Sequence, residues 1–382
     1  MPETANPAPG VEQQITDLVR SGAASCRRDI VDQLRIAPAT AASAIKKLLH
    51  DGVLVDAGPG PSTGGRRPQL LRLKDQRGVT GCAELGAHHA RFGLVDASGR
   101  VIASDELALD ISEGPEAVFA SLSQSWQGQA EASQRDLAAV AVAFPGPVDV
   151  ERGLVVSPAR MPGWSGVPTH QALVEAFGLP AVIENDARAA ALGEAVRRRD
   201  VMTEFIYVKA GTGIGGAWVT GGDLYRGTGG LAGEITHNQV AGVSMAQGCG
   251  CGKRGCLELV ASGAALSLQL REQGLTVNRM SDLVDLAREA RPEVSTVVRS
   301  AGAHLGEVLA PLVNFLNPAG VLIGGGLSTS DAFVASVRGV LYDRCLPMCT
   351  QGLVIEATQT GQDGALLGLG ELARRVLTRS HL

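Results

Sequence analysis

The chain has 382 residues and a net charge of −5, and 45% of its residues are hydrophobic but only 3% aromatic. This length allows two or three domains and a large buried core. No apolar run approaches eighteen residues, and the opening MPETANPAPG lacks the basic and apolar regions of a secretory signal. We therefore expect a cytoplasmic protein without a membrane span, in which residues 1–10 form a disordered lead.

Charge divides the chain into two parts. Residues 1–75 carry ten Lys and Arg against eight Asp and Glu, a balance of +2, whereas the remainder carries 24 against 31, a balance of −7. The overall negative charge argues against a protein that binds nucleic acid along its whole length. The N-terminal part is a separate, mildly basic unit.

Residues 11–75 have the pattern of three helices followed by a hairpin. Apolar residues recur at helical spacing from Val11, again in Arg28–Leu34, and again in a helix that begins at Pro38 and stops at Gly52. The segments VLVD and QLLRL, separated by the turn-rich GPGPSTGGRRP, predict two strands. This order predicts a winged helix-turn-helix.

The third helix and the wing tip are the candidate DNA-binding surfaces. Small residues on the leading face of the helix allow it to enter the major groove, and basic side chains one turn later and in the wing reach phosphates or the minor groove. Two alternatives are a winged helix that binds protein and a solvated basic loop. The predicted contacts are Thr40, Ser43, Lys46, Lys47, Arg66 and Arg67.

A strand, glycine-loop, strand pattern occurs twice in the rest of the chain, at residues 78–107 and 204–226. Each copy is followed by helical stretches, which suggests an internal duplication with a cleft between two α/β halves. Glycine-rich turns expose backbone N–H groups to anions such as phosphate. The alternative is that these glycines only form hairpin turns.

Three cysteines and a histidine form the strongest candidate metal site. Cys249, Cys251 and Cys256 lie within eight residues, and His237 lies twelve residues upstream of the first. Three thiolates and one imidazole are a complete tetrahedral set for a structural zinc. The alternatives are free buried thiols or a disulfide that leaves one cysteine unpaired.

Asn185 and Asp186 stand where a predicted strand, PAVIEND, meets a helix. Asn or Asp at this position is an ordinary helix N-cap. A carboxylate at the carboxyl end of a strand also faces the ligand cleft of an α/β protein. Both interpretations remain open from the spacing alone.

Several of these motifs resemble one family. The wing phrase STGGRRP and the C-x-C-G-x-x-G-C-x-E run of residues 249–258 are similar to those of ROK-family (repressor, open reading frame, kinase) transcriptional regulators, and the resemblance covers nearly the whole chain. It implies an α/β, actin-like (ribonuclease-H-like) sugar-kinase fold of two subdomains, preceded by an α+β winged helix-turn-helix domain of residues 11–75. The implied subdomains are residues 78–190 with 362–382, and residues 191–361.

The resemblance also implies roles for individual residues. Asp186 takes the position of the general base of the family's kinases, and His237 would bind zinc through one ring nitrogen and sugar through the other. The implied sugar-binding residues are Asn185, Asp186, Glu234, His237 and Glu258. The implied zinc ligands are His237, Cys249, Cys251 and Cys256.

The phosphate loops depart from the family's kinases. Glu84 and His88 replace the Asp and the small hydroxyl residue of D-x-G-x-T, and Ala217 replaces a glycine of the second loop. A displacement on the order of 1 Å can reduce a rate about a hundredfold, so these changes argue against phosphorylation. The degenerate loops comprise Glu84, Gly86 and His88, and Gly211 and Gly213.

Near the metal motif, Thr236 replaces a glycine, and the interval from His237 to Cys249 is about two residues longer than the family's. These differences bear on which sugar is recognised. We predict a sugar-responsive regulator, a repressor that binds operator DNA as a homodimer or homotetramer. The alternatives are an ATP-dependent sugar kinase that retains a DNA-binding head, and a regulator that responds to a protein partner.

Overall fold

The structure is a computed structural model that describes residues 10–60, 67–73, 78–156, 161–243, 248–289 and 291–379. Its contacts divide the chain into two compact units, Met1–Gly78 and Val79–Leu382. Within the described ranges, no helix is both long and apolar enough to cross a membrane.

The N-terminal unit contains the predicted three helices and two strands. The helices are α1 (Val11–Ser21), α2 (Arg27–Leu34) and α3 (Pro38–His50). Strand β1 (Leu54–Pro59) pairs antiparallel with β2 (Gln69–Leu73). This is a helix-turn-helix with a two-stranded wing, as the sequence predicts.

Local sequence explains the element boundaries of this unit. Gly22 adopts a left-handed conformation (φ 74°) that ends α1, and its N–H bonds to the Val19 carbonyl oxygen. Pro38 opens α3, where its missing N–H is harmless. One buried side chain from each helix, Ile15, Ile30 and Ile45, meets in the core. Burial of each such side chain stabilises the unit by roughly 1.5–3 kcal/mol.

The second unit contains two five-stranded sheets. The first has the order β5-β4-β3-β6-β9, in which β4 runs antiparallel to its neighbours and β6 runs parallel to β9. Its elements in chain order are β3 (Gly78–Leu85), β4 (His89–Val95), β5 (Val101–Ala108), α4 (Pro115–Ala132), β6 (Asp136–Phe144), β7 (Val148–Asp149), β8 (Leu154–Val155), α5 (Thr169–Phe177), β9 (Ala181–Asn185) and α6 (Asp186–Arg197).

The second sheet repeats this arrangement. Its order is β12-β11-β10-β13-β14, again with an antiparallel hairpin followed by parallel strands. The equal strand orders confirm the duplicated α/β architecture. Its elements are β10 (Phe205–Ala210), β11 (Ile214–Thr220), β12 (Asp223–Tyr225), α7 (Glu258–Ala261), α8 (Gly263–Glu272), α9 (Met280–Arg288), α10 (Pro292–Leu316), β13 (Gly320–Gly324), α11 (Asp331–Arg344), α12 (Pro347–Thr350), β14 (Val354–Ala357) and α13 (Gly364–Arg379).

Helices α6 and α13 join the two sheets. Helix α6 packs on β10, β11 and β12 of the second sheet, and α13 packs on β4, β6 and β9 of the first. Their shared core includes side chains from both sheets, among them Cys82, Ala141, Phe205 and Leu322. The predicted boundary at residues 190 and 362 falls within or next to these two helices and remains a prediction.

The two helices cross at glycines, which lets their backbones touch. A Cβ atom at Gly368 would lie 1.9 Å from the carbonyl oxygen of Ala189, and one at Gly193 would lie 2.0 Å from that of Gly364. Both distances are far below van der Waals contact. No residue larger than glycine fits at either position unless the helices move apart.

The Gly368→Ala substitution should therefore destabilise the second unit. We expect a loss of about 1–3 kcal/mol of unfolding free energy, because the added methyl group overpacks a helix crossing. Denaturant titration followed by circular dichroism measures the loss.

Gly128→Ala in α4 is the matched control. Gly128 is exposed, and a Cβ atom there would contact nothing. Alanine should stabilise that helix by roughly 0.5–1 kcal/mol. Equal stability of the Gly368→Ala variant and the parent would contradict the tight crossing.

Candidate ligand cleft and metal centre

The N-terminus of α6 positions Asn185 and Asp186 between the sheets. The Asn185 side chain caps the helix by accepting a hydrogen bond from the Arg188 N–H at 3.0 Å. Its amide nitrogen donates to the Gly146 carbonyl oxygen (2.9 Å) and to Asp186 Oδ1 (3.0 Å). The N-cap interpretation of Asn185 is thus confirmed, and the cap also fixes the neighbouring carboxylate.

Lys209, on β10, bridges the two sheets through carboxylates. Its Nζ lies 2.5 Å from Asp186 Oδ2 and also donates to Glu84 Oε1 on β3. The side chains are mostly buried: Lys209 is 23% exposed, Asp186 14% and Glu84 18%. Burial opposes the charge on the amine, but Asp186 and Glu84 outweigh it and raise the pKa of Lys209 above its usual range.

Glycines on both neighbouring strands leave space for the Lys209 side chain to extend toward Asp186 and Glu84. Its partners in register are Gly215 on β11 and Gly324 on β13, so no neighbouring side chain flanks it on the sheet. Gly215 also lets β11 approach α6, because a Cβ atom there would lie 2.7 Å from the Ala187 Cβ. Lys209 was not among the predicted site residues, since its only signal in the sequence is a lone lysine in an apolar strand.

The two candidate phosphate loops are closed by their own hydrogen bonds. The Gly86 N–H donates to the His89 carbonyl oxygen (2.8 Å), and the Gly211 N–H donates to that of Gly213 (3.0 Å). His88 is exposed, whereas the ring over Gly86 is that of His89. Neither Gly211 nor Gly213 has a positive φ. These amides form hairpin turns, and they are already paired.

A buried ion-pair group lies next to the α6 N-terminus. Glu184 is fully buried and pairs with Arg188 Nε and Arg226 Nη2, both at 2.8 Å. Arg188 also donates to the carbonyl oxygens of Val148 (2.6 Å) and Gly230. The group holds the segment that precedes Glu234 against the first sheet. Loss of one partner of such a group costs about 3–5 kcal/mol.

The backbone directly before Glu234 packs closely against strand β11. Gly233 has φ 102°, and a Cβ atom there would lie 2.2 Å from the Gly216 carbonyl oxygen on β11. This contact brings Glu234 near Asp186 and Arg188. Glu234 remains exposed, but partial desolvation by its neighbours raises its pKa, and of the two nearby charges Arg188 opposes the rise and Asp186 adds to it. The space bordered by Glu84, Asp186, Lys209 and Glu234 is called the cleft below.

Glu258 begins α7 and is buried. Its Oε2 accepts hydrogen bonds from the Thr236 hydroxyl (2.7 Å) and the Ile214 N–H (3.1 Å). Thr236 is adjacent to His237, so this bond fixes Glu258 relative to the imidazole. The threonine that departs from the family pattern is therefore a structural contact of a predicted sugar-binding residue.

The predicted metal ligands form one cluster. The ligand atoms of His237, Cys249, Cys251 and Cys256 all lie within 4.8 Å of one another. His237 Nδ1 is 3.6 Å from Cys249 Sγ, and Cys251 Sγ is 3.7 Å from Cys256 Sγ. The short isolated bridges Gly248–Arg254 and Gln239–Cys256 hold the loop. Residues 244–247 lie outside the described ranges.

This geometry fits a tetrahedral zinc. Bonds of about 2.3 Å from zinc to sulfur place two sulfurs about 3.7 Å apart, which matches the separation of Cys251 and Cys256. Without a cation, burial and the neighbouring thiols raise the pKa of Cys256 to about 12. A divalent cation among the thiols would remove that penalty. The three cysteines are free in this structure, and a disulfide would not explain why His237 joins them.

The predicted DNA face of α3 is accessible. Thr40, Ser43 and Lys46 are exposed, as is Lys47, although Lys47 Nζ lies 3.7 Å from Glu12 Oε1 on α1. Arg67 is exposed at the base of the wing, and Arg66 falls outside the described residues.

Two arginines at the start of α2 belong to the same candidate surface and were missed in the sequence. Arg27 and Arg28 line a cavity of about 420 Å³ between α2 and α3, together with Val31, Pro38, Ala41 and Ala42. Arginine side chains at this end of the first helix of a helix-turn-helix lie where DNA phosphates pass. The signal was present as an Arg-Arg pair directly before an apolar helix face.

Comparison with known proteins gives three relevant similarities. The chain is 27% identical over 343 residues to the xylose repressor of Bacillus subtilis (strain 168), covering 87% of this chain and 86% of that protein. A ROK family transcriptional regulator homologous to the Escherichia coli MLC protein superposes with a TM-score of 0.77 at 23% identity, covering 97% and 99% of the two chains. A ROK family glucokinase from Streptomyces griseus, solved with glucose and AMPPNP, superposes with a TM-score of 0.68 at 28% identity, covering 78% and 99%.

A family model, described as the ROK family, matches residues 80–376. This range includes both sheets, the Lys209 bridge and the metal cluster. The chain belongs to the ROK family.

Proposed function

We propose that this protein is a sugar-responsive transcriptional repressor. The observation that carries the proposal is the combination of a winged helix-turn-helix with a ROK body that has Asn185, Asp186 and Glu234 together with a cluster of one histidine and three cysteines. The similarity to a xylose repressor, over 87% of this chain, supports the same assignment. Sugar hydroxyls are the groups that such a set of amide and carboxylate side chains binds.

The contacts of Asp186 favour a regulator over a kinase. A general base needs a free oxygen near the substrate hydroxyl. In this protein Oδ1 accepts from the Ala187 N–H (2.8 Å) and from Asn185, and Oδ2 faces Lys209. Both carboxylate oxygens are thereby engaged by other donors, so Asp186 can accept a hydrogen bond from a hydroxyl group but has no unengaged oxygen to act as a base.

We propose that the zinc is structural and serves the sugar site. Held by His237, Cys249, Cys251 and Cys256, it would fix the imidazole and the neighbouring Thr236–Glu258 pair. Sugar binding would then shift the body between two conformations and change the separation of the two heads in a homodimer or homotetramer.

Operator binding is the first test. Full-length protein is incubated at low salt with fragmented genomic DNA, and the bound fragments are sequenced. We expect enrichment of a small set of sites. Uniform capture of all fragments would contradict the regulator assignment. A separate assay supplies ATP together with a hexose, hexosamine or pentose. Release of ADP in that assay would favour the alternative function, an ATP-dependent sugar kinase.

Lys46→Ala should weaken binding to the enriched fragment. The loss of one phosphate contact should lower affinity about equally for all sequences and reduce the salt slope by about one. Fluorescence anisotropy at several salt concentrations measures both. Arg299→Ala, at an exposed site on α10 of the other unit, is the control and should leave both quantities unchanged.

Cys251→Ser should lower zinc content and sugar response together and preserve operator binding. The substitution removes one of four ligands and so weakens the cation and the loop that it holds. Metal analysis, thermal shift with sugars and anisotropy measure the three properties. Cys349→Ser, outside the cluster, is the control. Full zinc content in the Cys251→Ser protein would exclude this ligand set.

Glu234→Gln should reduce sugar binding. In a thermal-shift screen of sugars, a ligand at a hundred times its Kd stabilises the parent protein by roughly 2.7 kcal/mol. The variant should lose most of that shift, because an amide is a weaker acceptor for hydroxyl groups than a carboxylate. Glu116→Gln, at an exposed site on α4, should retain it. An unchanged response to sugar would remove Glu234 from the site.

A further inference from the structure

The Lys209 bridge lies at the end of the cleft where a kinase would bring its phosphate loops toward the base. Lys209 contacts Asp186, which follows β9, and Glu84, which precedes the β3–β4 loop. Glu84 and Lys209 are 125 residues apart in sequence and come from different sheets. The ammonium group therefore occupies the space between the base and the first phosphate loop.

We propose that the group formed by Glu84, Lys209 and Asp186, in which one ammonium group neutralises only one of two carboxylates, determines specificity: it restricts the effector to a neutral sugar and excludes sugar phosphates and nucleotides. This inference rests on the proposed sugar response and names the class of sugar.

The charges around the cleft support the exclusion of anions. Two carboxylates face one ammonium group, which leaves this end of the cleft with one excess negative charge. Next to it, Arg188 and Arg226 pair with the single carboxylate of Glu184, which leaves one excess positive charge. The negative charge of Glu234 offsets that positive charge. A phosphate group here would meet an acidic surface, and like charges at such distances repel.

Four backbone N–H groups beside the cleft already have acceptors. At the N-terminus of α6 the Ala187 N–H bonds to Asp186 Oδ1, and the Arg188 N–H bonds to Asn185. The Gly86 and Gly211 N–H groups close their own turns. A phosphate would have to break these bonds or displace a carboxylate from Lys209. A neutral hydroxyl group can instead share Asp186 with Lys209.

Paired titrations of the full-length, zinc-loaded protein test the proposal. Isothermal calorimetry compares each neutral pentose, hexose and N-acetylhexosamine with its monophosphate, and a nonhydrolysable ATP analogue with magnesium is titrated separately. We expect a neutral sugar to bind at least about tenfold more tightly than its phosphate, from the repulsion of one to two unit charges, and the nucleotide analogue not to saturate.

Two variants should move this preference in opposite directions. Glu84→Gln removes one negative charge and should reduce the ratio of phosphate to neutral Kd by about tenfold. Lys209→Met leaves both carboxylates uncompensated and should increase it. Misfolding alone would weaken both ligands together and leave the ratio unchanged. Glu116→Gln is the surface control for a change of one charge.

The outcomes separate this inference from the proposed function. Tighter binding of a sugar phosphate, saturable binding of the nucleotide analogue, or an unchanged ratio in variants that bind the neutral sugar as tightly as the parent would overturn the role of the Glu84–Lys209–Asp186 group and leave a sugar-responsive repressor intact. If neither class of sugar binds, the proposed sugar response fails and the inference falls with it.

Discussion

The crossing of α6 and α13 is the constraint on which the body of this protein depends. Backbone contact at Gly193 and Gly368 leaves no space for side chains, so these two helices form a single layer shared by both sheets. Helix α6 begins with the Asn185 cap and Asp186. The close packing of α6 against α13 therefore determines where the carboxylate stands relative to β10 and Lys209.

The same framework can support either catalysis or recognition, and electrostatics decides between them. An aspartate in the position of Asp186 acts as a base when one oxygen faces a hydroxyl group and a phosphate is held nearby. Here Lys209 pairs with the aspartate and with Glu84 of the other sheet. In the proposed repressor, this pairing would oppose catalysis while the residues proposed to bind sugar are kept.

Much of the fold was predictable because it depends on local patterns. Helical spacing, Pro38 and Gly22 define the head, and the repeated glycine-loop hairpins indicated the duplicated body. The metal ligands were evident because three cysteines lie within eight residues. Lys209 and the pairing of Glu184 with Arg226 were missed, since the partners are distant in sequence and a single charged residue in a strand carries no periodic signal. Helix α11 was also not predicted, since it carries no distinctive motif.

The buried group of Glu184, Arg188 and Arg226 has a consequence for how such proteins diverge. Glu184 is fully buried, and its charge is compensated by the guanidinium groups of Arg188 and Arg226. Removal of one member would leave a buried charge without its partner. Replacement of Arg188 alone would leave Glu184 with one partner and would leave the carbonyl oxygens of Val148 and Gly230 without this donor. The three positions are therefore expected to change together, and such a change would alter the loop that precedes Glu234.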